Sequence, residues 1–387
     1  MTERFGGYQN EIYLQGLGGT KPLFSTNPTL LEDSAAKVLE SEPFWYVAGG
    51  AGAMATVRAN REAFDRWKIV PRMLTDATER ELATTVLGTP MPAPVLLAPV
   101  GVQSIVHADA ERATARAAAA LGVPMILSTA ASTTIEDVAE ASGDGPRWFQ
   151  LYWPTDPDVC ASILARAKKA GYRTLVVTLD TWTLAWRPCD LDQAYLPFLH
   201  GDGMAIPFSD PAFRALLDKT PEEDAPTAIL RWIGMVTGTD KSWDRLSFLR
   251  EHWDGPIVLK GIQHPDDARR AADAGMDGVV VSNHGGRQVD GALGSLDALP
   301  GVVHAVGDRL EVLFDSGVRT GADVLKALAL GAKAVLIGRP YMYGLAHAGE
   351  DGVRHVLRSL LADLDLTLAL SGHRSIAELS PASLVRS

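Results

Sequence analysis

The sequence has only two cysteines, Cys160 and Cys189, among 387 residues. That is too few for a disulfide framework and fits a reducing cytoplasm. No apolar run reaches the roughly 18 residues that crossing a bilayer requires. The opening Met1-Thr2-Glu3-Arg4-Phe5 lacks the apolar core of a signal peptide. Positive charge is also short: 36 Lys and Arg stand against 47 Asp and Glu, a net charge of −11. That balance argues against nucleic acid or an anionic membrane as the main partner. No G-x-x-x-x-G-K-[ST] and no well-placed G-x-G-x-x-G occurs, so P-loop and Rossmann readings lack support. No histidine, cysteine and carboxylate spacing matches a zinc site, and no metal is expected. Internal repeats and low-complexity segments are missing as well.

What is present is a regular alternation. Hydrophobic residues make up 47% and charged residues 21%, the balance of a globular chain. Eight short apolar runs, each bounded by turn or breaker residues, read as buried strands: Pro94–Pro99, Met125–Ser128, Trp148–Tyr152, Thr174–Thr178, Ile257–Lys260, Gly278–Ser282, Glu311–Asp315 and Ala334–Ile337. Their continuous apolar character suits a parallel sheet covered on both faces. Helical stretches separate them, at Ala108–Leu121, Ile135–Ala141, Pro157–Ala170, Pro265–Ala274 and Gly321–Leu330, with a last helix over Gly352–Leu370 and a short polar tail. Two further helices are predicted near the start, at Leu30–Glu40 and Val57–Phe64.

The expected fold is therefore a (β/α)₈ TIM barrel with an N-terminal helical extension, residues 1–387 forming one domain. A doubly wound sheet is the rival, with usually fewer strands. One connection, about 181–256, carries no strand signal and is far longer than an ordinary βα loop. It contains Tyr195, Phe198, Met204 and Phe208, with helices predicted near Asp210–Leu217 and Ser242–His252, and reads as a lid.

A barrel carries its chemistry at the C-terminal ends of its strands, and polar residues accumulate there. Asp315-Ser316-Gly317-Val318-Arg319 and Ile337-Gly338-Arg339-Pro340 end the last two strands. Glycine-rich turns with an arginine beside a helix start suit a phosphate. Lys260 ends an apolar strand, where a cation needs an anion or electron-rich partner; a Schiff-base lysine or a charge facing a cofactor both fit. His284 follows a strand end within Ser282-Asn283-His284-Gly285-Gly286-Arg287-Gln288, so a proton acceptor sits beside a carboxylate clamp. Asp180 is the natural carboxylate to orient it, Arg187 could be a second clamp, and Tyr46 and Tyr152 could bind substrate oxygens.

These residues resemble the FMN-dependent α-hydroxy-acid oxidases and dehydrogenases, nearly end to end. Val281-Ser282-Asn283-His284-Gly285-Gly286-Arg287-Gln288 is similar to that family's active-site signature. Tyr46-Val47-Ala48-Gly49-Gly50, Phe149-Gln150-Leu151-Tyr152, Thr178-Leu179-Asp180-Thr181, Val258-Leu259-Lys260-Gly261 and Phe314-Asp315-Ser316-Gly317-Val318-Arg319 support it. Within the family the chain looks most like the lactate 2-monooxygenases, through Asn10-Glu11-Ile12-Tyr13, Pro71-Arg72-Met73-Leu74 and Trp186-Arg187-Pro188. The resemblance implies His284 as the base with Asp180 supporting it. Arg187 and Arg287 would hold the substrate carboxylate, and Tyr46 and Tyr152 its oxygens. Pro99, Val100, Gly101, Ser128, Gln150, Tyr152, Thr178, Lys260 and Ser282 would line FMN, and Asp315, Ser316, Gly317, Arg319, Gly338 and Arg339 would hold its phosphate end. The substrate would be a small 2-hydroxy acid, with O₂ as the oxidant, in a homo-oligomer of four or eight copies. Two positions depart from the resemblance: Gly101 stands where many members carry alanine, leaving room for O₂ beside the flavin, and Ala130 where plant glycolate oxidases carry a large aromatic.

Overall fold

The computed structural model describes residues 4–238 and 241–387; residues 239 and 240 of the long connection lie outside them. Eight parallel strands close a barrel: β1 (Val95–Leu97), β2 (Met125–Ser128), β3 (Arg147–Leu151), β4 (Leu175–Thr178), β5 (Ile257–Ile262), β6 (Gly278–Val281), β7 (Glu311–Phe314) and β8 (Ala334–Ile337). Neighbours in sequence are neighbours in space, and β8 closes on β1. All eight coincide with the expected runs, two of them end to end and six with an end shifted by one or two residues.

The barrel core explains both the apolar runs and the polar rim. Leu96, Ile126, Trp148, Val176, Val258, Val280, Leu313 and Leu336, one from each strand, form the interior cluster. Their sequence neighbours Leu97, Leu127, Phe149, Val177, Leu259, Val281, Phe314 and Ile337 join the outer cluster under the helices. Side chains alternate along a strand, so the residue two positions on returns to the interior. Those residues are Ala98, Ser128, Gln150, Thr178, Lys260, Ser282, Asp315 and Gly338. The top layer of the barrel is thus largely polar above an apolar one. At the other end the hairpin Thr84–Val86 and Thr89–Met91 closes the barrel, with the Trp148 indole N–H donating to Thr89 Oγ1 at 3.0 Å.

Several local expectations change. The first predicted helix spans only Leu31–Ala35, after a 3₁₀ turn at Pro28–Leu30. A separate helix, Ser41–Ala48, follows it with Pro43 in its first turn, where the missing N–H costs nothing. The last helix starts earlier, at Arg339, and is interrupted by non-helical backbone at Ala348 and Gly349. The tail is not free: Leu384–Arg386 pairs antiparallel with Trp67–Ile69. In the long connection the helices are Pro188–Asp192, Ala205–Phe208, Pro211–Ala215, Ala225–Val236 and Leu246–His252. Among the described residues no helix is long and apolar enough to cross a membrane.

Candidate active site

A cavity of about 220 Å³ opens above the polar layer. Tyr46, Pro99, Val100, Gly101, Ser128, Tyr152, Arg187, Lys260, His284, Arg287, Asp315, Ser316, Gly317, Arg319, Gly338 and Arg339 all line it. Asp180, Gln150, Thr178 and Ser282 do not line it; they stand beside residues that do. Ser128 Oγ donates to Gln150 Oε1 at 3.0 Å, and Lys260 Nζ donates to Ser282 Oγ at 2.9 Å. Thr178 is buried and pairs in register with Lys260. The long connection forms the opposite wall with Leu184, Leu196, Phe198, Met204, Trp232, Ile233 and Val236.

His284 sits on the β6 loop with a backbone φ of +58°, strained for a residue with a Cβ. The loop is pinned from three sides. Asn283 and Asn60 exchange side-chain hydrogen bonds at 2.7 and 2.9 Å. Ser316 Oγ accepts from the Gly285 N–H at 3.0 Å, and Ala51 N–H donates to the Gly286 carbonyl at 2.9 Å. That last contact ties the Tyr46-bearing helix to the histidine loop.

His284 Nδ1 lies 2.7 Å from Asp180 Oδ1. Burial lowers the imidazole pKa, and the Lys260 and Arg187 charges add to this, so together they outweigh Asp180 and the ring is neutral. Burial works against the Asp180 charge, but the His284 contact, Lys260 and Thr181 hold the carboxyl at about 2. An ionised carboxylate only accepts, so Nδ1 carries the proton and Nε2 keeps a lone pair. Lys260, 3% exposed, lies 3.0 Å from Asp315 Oδ2. Desolvation would lower its pKa, yet Asp315 and Asp180 raise it and keep the ammonium charged.

Four guanidiniums face the cavity with little negative charge to meet them, Arg187 buried and Arg287, Arg319 and Arg339 part-buried. Arg187 donates to the Arg287 carbonyl at 3.0 Å and to Gln288 Oε1 at 2.6 Å, with Asp190 3.9 Å away. Burial, with Arg287 adding to it, brings Arg187 down to about 10. Arg287 donates to the Gly49 carbonyl at 2.9 Å and lies 5.1 Å from the Tyr46 ring centroid. Arg339 donates to the carbonyls of Val47, Gly285 and Gly49 at 3.0, 2.9 and 2.7 Å. Burial is also the main reason Arg339 falls to about 10, and it lowers Arg319 too. Among the described residues neither Arg319 nor Arg339 has a carboxylate in ion-pair contact. Cations withdrawn from water in this way call for an anion. The arginines divide into two such places, Arg187 with Arg287 under the long connection and Arg319 with Arg339 at the β7 and β8 ends.

One expectation fails. Gly101 does not leave free space: a Cβ there would lie 2.6 Å from the Ala130 carbonyl oxygen and 2.8 Å from its Cβ. The β2 loop already fills the volume that the missing methyl vacates. Gly203 of the long connection presses on the same oxygen, its Cβ position 2.6 Å away.

Sequence reasoning assigned no role to Thr181 or Asn60. Thr181 was visible only as the neighbour of Asp180. Asn60 lies in the N-terminal helix Ala55–Asp65, and nothing local marks it. The helix Ala225–Val236 was not expected from the sequence at all, and its Trp232, Ile233 and Val236 form part of the cavity wall.

A profile of the FMN-dependent dehydrogenases matches residues 35–386. The chain is 53% identical over 378 residues to an FMN-dependent alpha-hydroxy acid dehydrogenase of Penicillium citrinum, covering 97% of this chain and 94% of that one. It is 42% identical over 356 residues to an L-lactate oxidase of Lysinibacillus sphaericus, covering 92% of each. A crystal structure of mandelate oxidase superposes with a TM-score of 0.82 at 39% identity, over 94% of this chain and 99% of that one. The chain thus belongs to the FMN-dependent dehydrogenase family, as an FMN-dependent oxidoreductase acting on α-hydroxy acids.

Proposed function

We propose that the protein oxidises a small L-2-hydroxy acid and passes the electrons to O₂, with His284 as base. The observation that carries this reading is the pairing, in one cavity, of a neutral imidazole committed through Nδ1 to Asp180 with two arginines short of carboxylate. The residues present fit FMN. Arg319 and Arg339 are part-buried cations with no carboxylate in ion-pair contact among the described residues, as a phosphate end requires, and Gln150 Nε2 is a buried donor without a partner. Pro99, Val100, Gly101, Ser128, Tyr152, Thr178 and Ser282 complete the set that would hold the ring system. Asp315, Ser316, Gly317 and Gly338 would surround the phosphate end. Bound there, FMN supplies two-electron redox chemistry.

The protein's own groups would then act as follows. Arg187 and Arg287 clamp the substrate carboxylate, and Tyr46 and Tyr152 hydrogen-bond its oxygens. Burial keeps both tyrosines protonated. His284 Nε2 takes the hydroxyl proton, and Asp180 stabilises the imidazolium that forms. Lys260 provides a fixed positive charge beneath the reacting centre, where negative charge develops. Its charged state speaks against a Schiff-base aldolase, which needs a neutral amine.

The finer reaction is that of a lactate 2-monooxygenase: lactate and O₂ give acetate, CO₂ and water. The wall of apolar residues from the connection supports it, because a covered cavity keeps keto acid and peroxide together. The alternative, release of keto acid and H₂O₂, is favoured by the name of the L-lactate oxidase relative. Unpaired Cys160 and Cys189 support a cytoplasmic setting. Exposed Trp182, Trp186 and Leu199 support a homo-oligomer.

The purified protein should be yellow, release FMN on heating and bleach on anaerobic L-lactate. A colourless protein, or a flavin that no 2-hydroxy acid bleaches, would overturn the reading.

A further inference from the structure

Asp180 presents its carboxylate one-sidedly. Oδ1 receives the His284 contact at 2.7 Å and a second hydrogen bond from Thr181 Oγ1 at 3.0 Å. Oδ2 is buried with no partner. It faces the β5 bulge at Gly261, whose φ is +105°; a Cβ there would lie 2.9 Å from Asp180 Cβ, Cγ and Oδ2. Thr181 Oγ1 also lies 3.1 Å from His284 Nδ1 and lines the cavity. Thr181, Asp180 and His284 therefore form a closed ring of three contacts, backed by glycine on the side away from the histidine.

We propose that Thr181 is a positioning residue for the base: its hydroxyl holds Asp180 Oδ1 against His284 and takes up part of the carboxylate's charge. This rests on His284 being the base. A hydroxyl has one proton to give, and the ionised carboxylate is its strongest acceptor here, so Thr181 O–H donates to Asp180. That leaves the threonine oxygen's lone pairs toward Nδ1–H and fixes the plane of the ring. The carboxylate then shares its charge between two donors, which limits how far it raises the basicity of His284.

The charged and titratable groups around His284 are Asp180, Lys260 with its partner Asp315, Arg187 and Arg287, with Tyr46 and Tyr152 in the same cavity. Thr181→Val alters no charged group; it removes the donor to Asp180 and, with it, the hydroxyl's hydrogen bond with Tyr152, which carries no charge. More of the Asp180 charge then falls on His284, the imidazolium is favoured, and its pKa rises. The base is protonated over a wider acid range, so the acid limb of the rate profile moves to higher pH.

The test is anaerobic stopped-flow reduction of the FMN-loaded protein by L-lactate from pH 5 to 9, for wild type, Thr181→Val and Thr181→Ser. The expected result is an acid limb moved up by about half to one pH unit in Thr181→Val. Its plateau should fall roughly 10-fold, as for loss of one oriented hydrogen bond to a charged group. Thr181→Ser should restore the wild-type limb. Melting curves run alongside separate folding from function. A Thr181→Val profile lowered equally at every pH, with the limb in place, would overturn the proposal and leave a packing role. Failure of wild type to be reduced by L-lactate or by any other small 2-hydroxy acid would instead sink the hydroxy-acid reading.

Discussion

Replacing Arg339 by methionine isolates the phosphate end of the site. The side chain keeps its length, but the guanidinium and its donors to the Val47, Gly49 and Gly285 carbonyls are lost. A hydrogen bond to a charged group contributes about 1.5–3 kcal/mol. At about 1.4 kcal/mol per tenfold, losing one such bond weakens FMN binding by roughly 10- to 150-fold. Riboflavin carries the same ring and ribityl chain without the phosphate, so its affinity should hardly change. The assay is quenching of flavin fluorescence as the FMN-free protein is titrated with each ligand. Thermal melts provide a second readout. At a hundredfold excess over Kd the ligand stabilises the fold by about 2.7 kcal/mol. With roughly 2.1 cal/mol/K of unfolding entropy per residue over 387 residues, this is a rise of about 3 °C in Tm. At the same FMN concentration that rise should shrink to roughly 0.4–1.7 °C for Arg339→Met, given roughly 10- to 150-fold weaker binding. Equal losses for FMN and riboflavin would refute the assignment, because the arginine would then be supporting the fold and not meeting a phosphate.

Other outcomes follow from the same geometry. His284→Ala should slow flavin reduction at least roughly 10²-fold while FMN stays bound, and near-normal stopped-flow rates would remove it from the mechanism. Because burial lowers the His284 pKa, the acid limb of wild-type reduction should lie below the ordinary histidine value of about 6.5; a limb well above that would mean the ring is charged at rest. Gly101→Ala must displace the Ala130 loop and should cost about 1–3 kcal/mol, read as a lower urea midpoint. Shortening the connection around Tyr195–Phe208 should open the cavity and shift lactate products from acetate and CO₂ toward pyruvate and H₂O₂. Stoichiometric peroxide from the intact protein, with catalase absent, would favour the oxidase outcome instead.

The barrel was legible because parallel strands buried on both faces must be apolar throughout, and Gly or Pro marks their ends. The polar rim was legible for a related reason. A lysine, an aspartate or a glutamine two positions beyond a barrel-facing valine, leucine or tryptophan has no structural excuse. The N-terminal 90 residues were harder to read. Helix Gly7–Leu17 has no buried residue and so no apolar periodicity to find. The pairing of Trp67–Ile69 with Leu384–Arg386 joins the two ends of the chain, a contact that no local pattern encodes. Gly101 shows the opposite limit. Its missing methyl suggested space, but whether a deleted side chain leaves a void depends on what the neighbouring loop does, and here Ala130 moves in.

Two of the positions where local rules are broken stand together at the C-terminal end of the barrel. His284 at φ +58° and Ser316 at φ +83° are non-glycine residues in left-handed backbone, on the loops after β6 and β7. Each such residue costs on the order of 1–3 kcal/mol and persists only where its surroundings over-determine it. Here the determinants can be named. Ser316 Oγ donates to Asp315 Oδ1 at 2.7 Å and accepts from the N–H groups of Asn283 and Gly285 at 3.3 and 3.0 Å. One strained residue therefore fixes the other, and the Asp315 that orients Ser316 also holds Lys260. The strain, the buried ammonium and the histidine loop thus form one connected unit. Relaxing Ser316, as Ser316→Gly would, removes the hydroxyl that holds the β6 loop even though the backbone conformation becomes easier. That substitution should stabilise the turn locally and loosen His284, separating fold stability from the rate of flavin reduction in a direction that simple damage to the fold cannot produce.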